Sequence, residues 1–323
     1  MTKCIAFHSY KGGTGKTTLA ANFAALLAKN GYRAFLLDLD VYAPSLHSYF
    51  ETEPKKWIND FLYENAELDE VVIDFTSIVK GTAGTQSLGY QAGPKGHKRS
   101  ATEHKEGGEL GVAFCNPKKE EIYKLEGGSP SPSRPDTSKI HLLRRFILLR
   151  ELLISEYHAD YVIIDTSPGI RYWSINALAV ADTLLLTLKM GDLDIAGTKK
   201  LAEEIYGSFT KFGTKSFLLW NRVAGYCVPH GAVDHIISAP NAAATSTDSQ
   251  RHASKSVLVQ QQQSTETDMK NVLSTETGME VISAIPCYCD IQFSRKEFLT
   301  VLEHPDHPFT KQFEGLIRTV EPI

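Results

Sequence analysis

The octapeptide KGGTGKTT at residues 11–18 constrains the fold of this chain more than any other sequence feature. It follows a short apolar run at residues 5–7, which is typical of a buried strand. It precedes residues 19–29, where apolar side chains recur every three or four positions, as on one face of a helix. A second apolar run follows at residues 33–37. Strand, helix and strand within about 40 residues predict a βαβ unit, and hence a parallel sheet with a right-handed crossover.

The same alternation continues toward the end of the chain. Further strands are predicted at apolar runs bounded by turn residues, at 112–114, 161–164, 184–188, 216–219 and 281–285. Further helices are predicted where apolar residues have helical spacing, at 142–156, 195–209 and 309–320. Continuous apolar runs such as 161–164 indicate strands that are buried on both faces. The expected fold class is therefore α/β, with a doubly wound, mostly parallel sheet flanked by helices.

The length of the chain leaves its domain organisation open. Its 323 residues suit either two domains of ~150 residues or one large α/β domain that carries insertions. Three stretches break the strand and helix pattern: 84–108, rich in Gly, Lys and His; 126–139, which contains SPSPSRP; and 238–277, rich in Ala, Ser, Thr and Gln. We interpret them as insertions or loops, although part of the third could be helical. We therefore expect a single domain over residues 1–323.

Composition narrows the choice of partners and compartment. Lys and Arg number 34 and Asp and Glu 38, for a net charge of −4, which argues against a constitutive nucleic-acid-binding protein. A local cluster leaves contact with DNA phosphates open; it consists of Lys95, His97, Lys98, Arg99 and Lys105. No apolar run reaches the ~18 residues of a membrane-spanning helix, and the first residues form a strand pattern rather than a signal peptide. Because the chain has five cysteines, we expect a reducing cytoplasm.

Residues 11–18 have the composition of a phosphate-binding loop. Their glycines let backbone N–H groups turn toward phosphate oxygens, and the N-terminus of the following helix adds a favourable dipole. Lys16 would reach the β- and γ-phosphates of a nucleotide, and the Thr17 hydroxyl would bind Mg²⁺. The ordinary pattern G-x-x-x-x-G-K-[ST] fails at Tyr10, and a chance surface loop is the alternative. The predicted contacts are Gly12, Gly13, Thr14, Gly15, Lys16, Thr17 and Thr18.

Acidic residues end two of the predicted strands. Asp38 and Asp40 follow the second strand, on the same strand face. Asp165 ends the most apolar strand, where an unpaired charge would be costly, so that we expect a cation near it. Asp38 and Asp40 could instead be a helix cap or solvated loop charges.

These residues together resemble the deviant Walker-A ATPases of the MinD/ParA family, whose signature is K-G-G-x-G-K-[ST]-[ST]. The resemblance also covers DLD at 38–40, DTSPG at 165–169, Asn221, Arg222 and Pro286, together with the final helix. ParA-type members commonly lack the earlier glycine, so Tyr10 is tolerable. The resemblance spans most of the chain outside the three irregular stretches.

The resemblance implies a slow, partner-stimulated and Mg²⁺-dependent ATPase. Such a protein would close as a homodimer on ATP, recruit a protein partner, and act in partitioning or positioning of a cellular cargo. Residues 166–170 would sense the γ-phosphate. The implied catalytic residues are Lys11, which reaches the partner subunit's nucleotide, Lys16, and Asp40, which orients the attacking water. The implied magnesium residues are Thr17, Asp38 and Asp165, and the implied contacts around the base are Asn221, Arg222 and Pro286.

Three alternatives remain open at this point. Cys287 and Cys289 form a C-x-C pair, which could serve a metallocentre or iron–sulfur assembly ATPase of Mrp-like or nickel-inserting type. A nucleotide-binding scaffold with negligible hydrolysis is the second. The third concerns the final helix, which could bind a membrane as in MinD. Its Lys311 and Arg318 are matched by nearby glutamates, so we favour packing against the core and find no clear membrane-targeting helix.

Overall fold

The computed structural model describes residues 2–81, 108–125, 137–211, 213–223, 267–292 and 294–323. Its centre is an eight-stranded sheet with the order β3-β4-β2-β5-β1-β6-β7-β8. All neighbouring strands are parallel except β3, which pairs antiparallel with β4. The strands are β1 (Lys3–His8), β2 (Arg33–Leu39), β3 (Val72–Asp74), β4 (Glu109–Ala113), β5 (Tyr161–Thr166), β6 (Thr183–Leu188), β7 (Lys215–Val223) and β8 (Val281–Pro286).

Helices connect the strands and cover the sheet. They are α1 (Lys16–Lys29), α2 (His47–Phe50), α3 (Ile58–Leu62), α4 (Leu68–Val71), α5 (Thr76–Val79), α6 (Lys119–Leu125), α7 (Thr137–Ser155), α8 (Tyr172–Leu178), α9 (Asp192–Leu201), α10 (Gly207–Lys211), α11 (267–277), α12 (Cys289–Gln292), α13 (Thr300–Glu303) and α14 (Pro308–Val320). A π-helical segment, Ala202–Tyr206, joins α9 to α10. None of the helices in the described ranges combines the length and apolarity needed to cross a membrane.

Successive side chains of the central strands enter two different cores. Leu36 and Ile163 belong to the core that contains Phe23 of α1. Their neighbours Leu37 and Ile164 belong to the core on the other side, with Trp173 of α8. Because both faces are covered, a continuous apolar sequence suits these strands better than an alternating one. This arrangement confirms the predicted α/β class with a mostly parallel, doubly wound sheet.

The position of β1 determines where a ligand can bind. β1 lies between β5 and β6. From β1 the chain passes β5 to reach β2 on one side, whereas from β5 it passes β1 to reach β6 on the other side. The strand order therefore reverses beside β1. In open α/β sheets, ligands bind at such a reversal, outside the carboxyl ends of the strands. Residues 11–18 leave the carboxyl end of β1 at this point.

The structure corrects some boundaries of the irregular stretches. Helix α7 begins at Thr137, inside the stretch predicted as irregular over 126–139, because the last proline of SPSPSRP lies at 135 and no longer interrupts the helix. Gly108, at the end of the first stretch, is buried just before β4, and residues 267–277 are helical, as was left open for part of the third stretch. The rest of the three predicted insertions, and the basic cluster Lys95–Lys105, lie outside the described residues.

Candidate functional site

The glycine loop adopts backbone conformations that side chains rarely allow. Gly13 and Gly15 have φ values of +72° and +91°. A Cβ on Gly15 would also lie 2.5 Å from Nδ2 of Asn221. Gly15 therefore serves both the turn into α1 and the close approach of β7.

Lys16 folds back over the loop from the first turn of α1. Its side chain is buried, and its Nζ donates a hydrogen bond to Oγ of Ser9 at 3.0 Å. Ser9 Oγ in turn donates to the carbonyl of Lys11 at 2.6 Å. Burial lowers the pKa of Lys16, while the carboxylates of Asp165 and Asp40 act in the opposite direction. The ammonium is thus held at the mouth of the loop, and Ser9 is a supporting residue that the motif alone did not identify.

Asp38 and Asp165 are register partners on the adjacent strands β2 and β5. Burial raises the pKa of Asp165 to about 7, against the effect of the Lys16 ammonium. Burial and the neighbouring Asp165 raise the pKa of Asp38 well above its usual value. Three of the four carboxylate oxygens make no hydrogen bond of ordinary geometry with the described residues: both oxygens of Asp165 and Oδ2 of Asp38. Buried carboxylate oxygens of this kind fit a hard divalent cation such as Mg²⁺, and the Thr17 hydroxyl on the first turn of α1 interacts with Asp165.

Asp40 is held by three donors rather than left as a solvated charge. Its Oδ1 accepts hydrogen bonds from Oγ of Ser167 at 2.9 Å, from the backbone N–H of Ala43 at 3.1 Å and from that of Tyr42 at 3.2 Å. The indole N–H of Trp173 donates to the carbonyl of Leu39 at 2.9 Å. The loops after β2 and β5 are therefore tied together. No local sequence pattern indicates that Ser167 and Trp173 form this link.

A cleft beside the glycine loop brings the predicted base contacts together. Asn221, Arg222 and Pro286 line it together with Gly15 and Thr18. Asn221 donates from Nδ2 to the carbonyl of Thr14 at 2.7 Å and accepts at Oδ1 from the backbone N–H of Arg222 at 2.9 Å. In this state the amide of Asn221 braces the loop. The remaining lining includes Leu19, Cys287, Tyr288, Ile291, Glu297 and Phe309.

Lys11 faces helix α9. Its Nζ lies 3.8 Å from Oδ1 of Asp194, and its side chain is 41% exposed. The preceding Tyr10 packs on the same helix, because a Cβ on Gly197 would lie 2.0 Å from the Tyr10 ring. Helix α9 therefore supports the start of the glycine loop at two positions.

One member of the cysteine pair, Cys287, lines this cleft. Cys287 and Cys289 are partly buried and are not disulfide-bonded. Within the described part of the chain, no group of three or more His, Cys, Asp and Glu side chains is arranged to hold a metal ion.

Comparison with known proteins identifies the family. A family model described as the CobQ/CobB/MinD/ParA nucleotide binding domain matches residues 5–230, which is more than half of the chain. The chain belongs to this family. A MinD/ParA nucleotide-binding domain of this kind explains why the glycine loop, the strand-end carboxylates and the cleft meet at the reversal beside β1.

Individual relatives agree with this assignment. The cell division ATPase MinD of Pyrococcus furiosus superposes with a TM-score of 0.61 at 16% identity, covering 100% of this chain and 99% of that chain. MinD of Pyrococcus horikoshii, complexed with Mg-ADP, gives 0.59 at 15% identity, covering 99% and 96%. At these identities the likeness shows the fold alone. A candidate replication protein A of Rhizobium rhizogenes is 28% identical over 219 residues, 64% of this chain and 47% of that protein. The chain spans less than half the length of this and other curated relatives that it matches.

Proposed function

We propose that this protein is a Mg²⁺-dependent, ATP-binding and ATP-hydrolysing switch of MinD/ParA type. One observation carries the proposal: the buried carboxylates of Asp38 and Asp165 lie across from the Lys16 ammonium, beside a glycine loop at the strand reversal. Two neighbouring carboxylates are expensive to bury when a cation does not compensate them. A site that binds a metal–triphosphate complex explains why these groups are kept there.

The residues of the site have separable tasks in this proposal. Lys16 and the backbone N–H groups of the loop bind the phosphates, and Thr17, Asp38 and Asp165 hold Mg²⁺ directly or through water. When bound, Mg²⁺ neutralises charge on the phosphate oxygens. Asp40, fixed by Ser167 and two backbone donors, orients the attacking water. Asn221, Arg222 and Pro286 surround the base.

The output of such a switch is a change of association. ATP would close two copies face to face, with Lys11 of each reaching the other's nucleotide, and hydrolysis, stimulated by a protein partner, would open them. The weak exposed pairing of Lys11 with Asp194 supports this, because it leaves the ammonium available. Partitioning or positioning of a cargo in the cytoplasm is the proposed role, since similar folds include a cell division ATPase and plasmid partition proteins. We further propose that residues 1–323 form one domain.

Binding and turnover of the wild type test the proposal directly. We expect Mg²⁺-dependent ATP binding by calorimetry and slow phosphate release, both abolished in Lys16→Ala. The matched control is Lys200→Ala, which removes an exposed lysine of α9 that pairs with Glu204. A wild type that binds no ATP, or that binds it without releasing phosphate, contradicts the proposal.

A further inference from the structure

Two segments that are distant from the glycine loop in sequence form one wall of the nucleotide cleft. Tyr288 and Ile291 come from the turn after β8, and Phe309 comes from the first turn of α14. The turn includes the short helix α12, which has little internal hydrogen bonding to hold it. Contacts with the start of α14 help to hold it in place.

One buried imidazole makes those contacts. His307 is the N-cap residue of α14, and its Nδ1 accepts a hydrogen bond from the backbone N–H of Phe309 at 3.0 Å. Its Nε2 lies 3.0 Å from Oδ2 of Asp290 on α12. Because Nδ1 accepts, the proton of the neutral ring is on Nε2, which donates to Asp290. The two ring nitrogens thus connect the helix start to the turn.

The same ring also packs against the cleft wall. The ring centroids of His307 and Tyr288 are 5.0 Å apart with an interplanar angle of 75°, and Tyr288 and Phe309 are 6.2 Å apart at 85°. His307 is 6% exposed, whereas Asp290 is 41% exposed. A hydrogen bond from a buried donor to a carboxylate is stronger than one between neutral groups. An ordinary helix cap would need only the Phe309 contact; the bond to Asp290 and the contact with Tyr288 are additional.

We propose that His307 is a positioning residue for the base-binding wall. By holding Asp290 and Tyr288, it fixes the position of the turn that follows Pro286. This turn lines the cleft that would receive the nucleobase. Its effect should be confined to the part of the ligand that carries the base, because its partners Asp290, Tyr288 and Phe309 lie outside the phosphate-binding residues 11–18. This inference rests on the proposed nucleotide binding and extends it to a residue outside the family's motifs.

Binding of ATP and of inorganic tripolyphosphate, each with Mg²⁺, tests the proposal in the full chain. His307→Asn keeps an N-cap acceptor for α14 but is too short to reach Asp290. Asp290→Ala removes the other partner at a partly exposed position. We expect each variant to weaken ATP binding by about tenfold or more, because a lost hydrogen bond to a charged group costs at least that much, and to leave tripolyphosphate binding unchanged. KM for ATP should rise with kcat unchanged.

Controls separate this proposal from general damage to the fold. The double variant should bind ATP no more weakly than either single variant does, because both substitutions remove the same link. Asp306→Ala, which removes an exposed carboxylate beside His307, should bind ATP as the wild type does. Equal loss of ATP and tripolyphosphate binding, or unchanged ATP binding in both variants, would overturn the role of His307. A wild type that fails to bind ATP would instead overturn the proposed function.

Discussion

Asp165 is buried in an environment that disfavours its charged form. Its pKa is raised to about 7 by burial, against about 3.9 in an unfolded chain. Between these values the folded state binds more protons than the unfolded state, so the free energy of unfolding falls as pH rises through this window and levels off above it. At about 1.4 kcal/mol per pKa unit, the cost amounts to a few kcal/mol above pH 7.

The variant Asp165→Asn removes this titration. We expect its free energy of unfolding to exceed that of the wild type by a few kcal/mol at pH 8 in the presence of a chelator, and the difference to shrink as pH falls toward 4. Urea unfolding across this pH range measures it, with Asp306→Asn at an exposed position as the control. Parallel curves for wild type and Asp165→Asn would show that burial of this carboxylate has no such cost. The same variant should lose Mg²⁺-dependent ATP binding.

Asp40 should be dispensable for binding and essential for turnover. In Asp40→Asn, the side-chain oxygen can still accept from Ser167 and the two backbone N–H groups, so the loop should keep its conformation. The charge that orients water is lost, and we expect phosphate release to fall by about 100-fold or more. ATP affinity should be retained. Phosphate release at the wild-type rate would refute the role of Asp40, and Ser167→Ala should give a smaller loss.

Helices and strands could be predicted from the sequence where their apolar residues form a continuous run or recur with a clear period. Residues 161–166 are buried on both faces, and the continuous apolar sequence at 161–164 predicts this strand. The three-residue β3 and helices of four or five residues are too short to show a period. The glycine loop and the strand-end aspartates were predicted because each is a local motif.

The supporting contacts of the site were not predictable in the same way. Ser167 and Asp40 are 127 positions apart, and Trp173 and Leu39 are 134 positions apart. Such pairs are determined by which strands become neighbours and by the register between them, which a single sequence does not encode as a local pattern. Even His307 and Asp290, at 17 positions apart, meet through the packing of a turn against a helix.

Helix α9 should influence the glycine loop through Gly197. In Gly197→Ala, the added methyl group would lie 2.0 Å from the Tyr10 ring, so the ring and the start of the loop must move. We expect ATP affinity to fall several-fold. Adding Tyr10→Gly, the residue of the ordinary P-loop, should restore it.

The matched control for this change is Gly315→Ala in α14, where a Cβ would meet nothing within 4 Å. Because alanine favours a helix over glycine, it should raise the free energy of unfolding by up to about 1 kcal/mol and leave ATP affinity unchanged. If Gly197→Ala behaves in the same way as Gly315→Ala, the contact between α9 and Tyr10 does not support the loop.

For the whole molecule, the decisive question is what ATP does to association. A net charge of −4 gives two copies a weak mutual repulsion, so closure has to be driven by specific contacts at the nucleotide. In the proposed dimer, Lys11 would make such a contact. Its pair with Asp194 is exposed and 3.8 Å long, and pairs of this kind contribute only about 0–1 kcal/mol. The ammonium can therefore leave Asp194 at little cost when a triphosphate of a second copy comes within reach.

Light scattering with Mg²⁺ and ATP should therefore give different molecular masses for variants of Lys11 and of a control lysine on α9. In the Asp40→Asn background, which should retain bound ATP, we expect the mass to double. Adding Lys11→Ala should keep the protein monomeric while ATP still binds, because the charge that bridges the two copies is gone. Adding Lys199→Ala, which removes a similarly exposed lysine paired with Glu203 at 4.0 Å, should leave the doubling intact. Doubling in the Lys11→Ala protein would place the bridging charge elsewhere, whereas loss of doubling in both variants would point to general electrostatics of the α9 surface instead of a contact specific to Lys11.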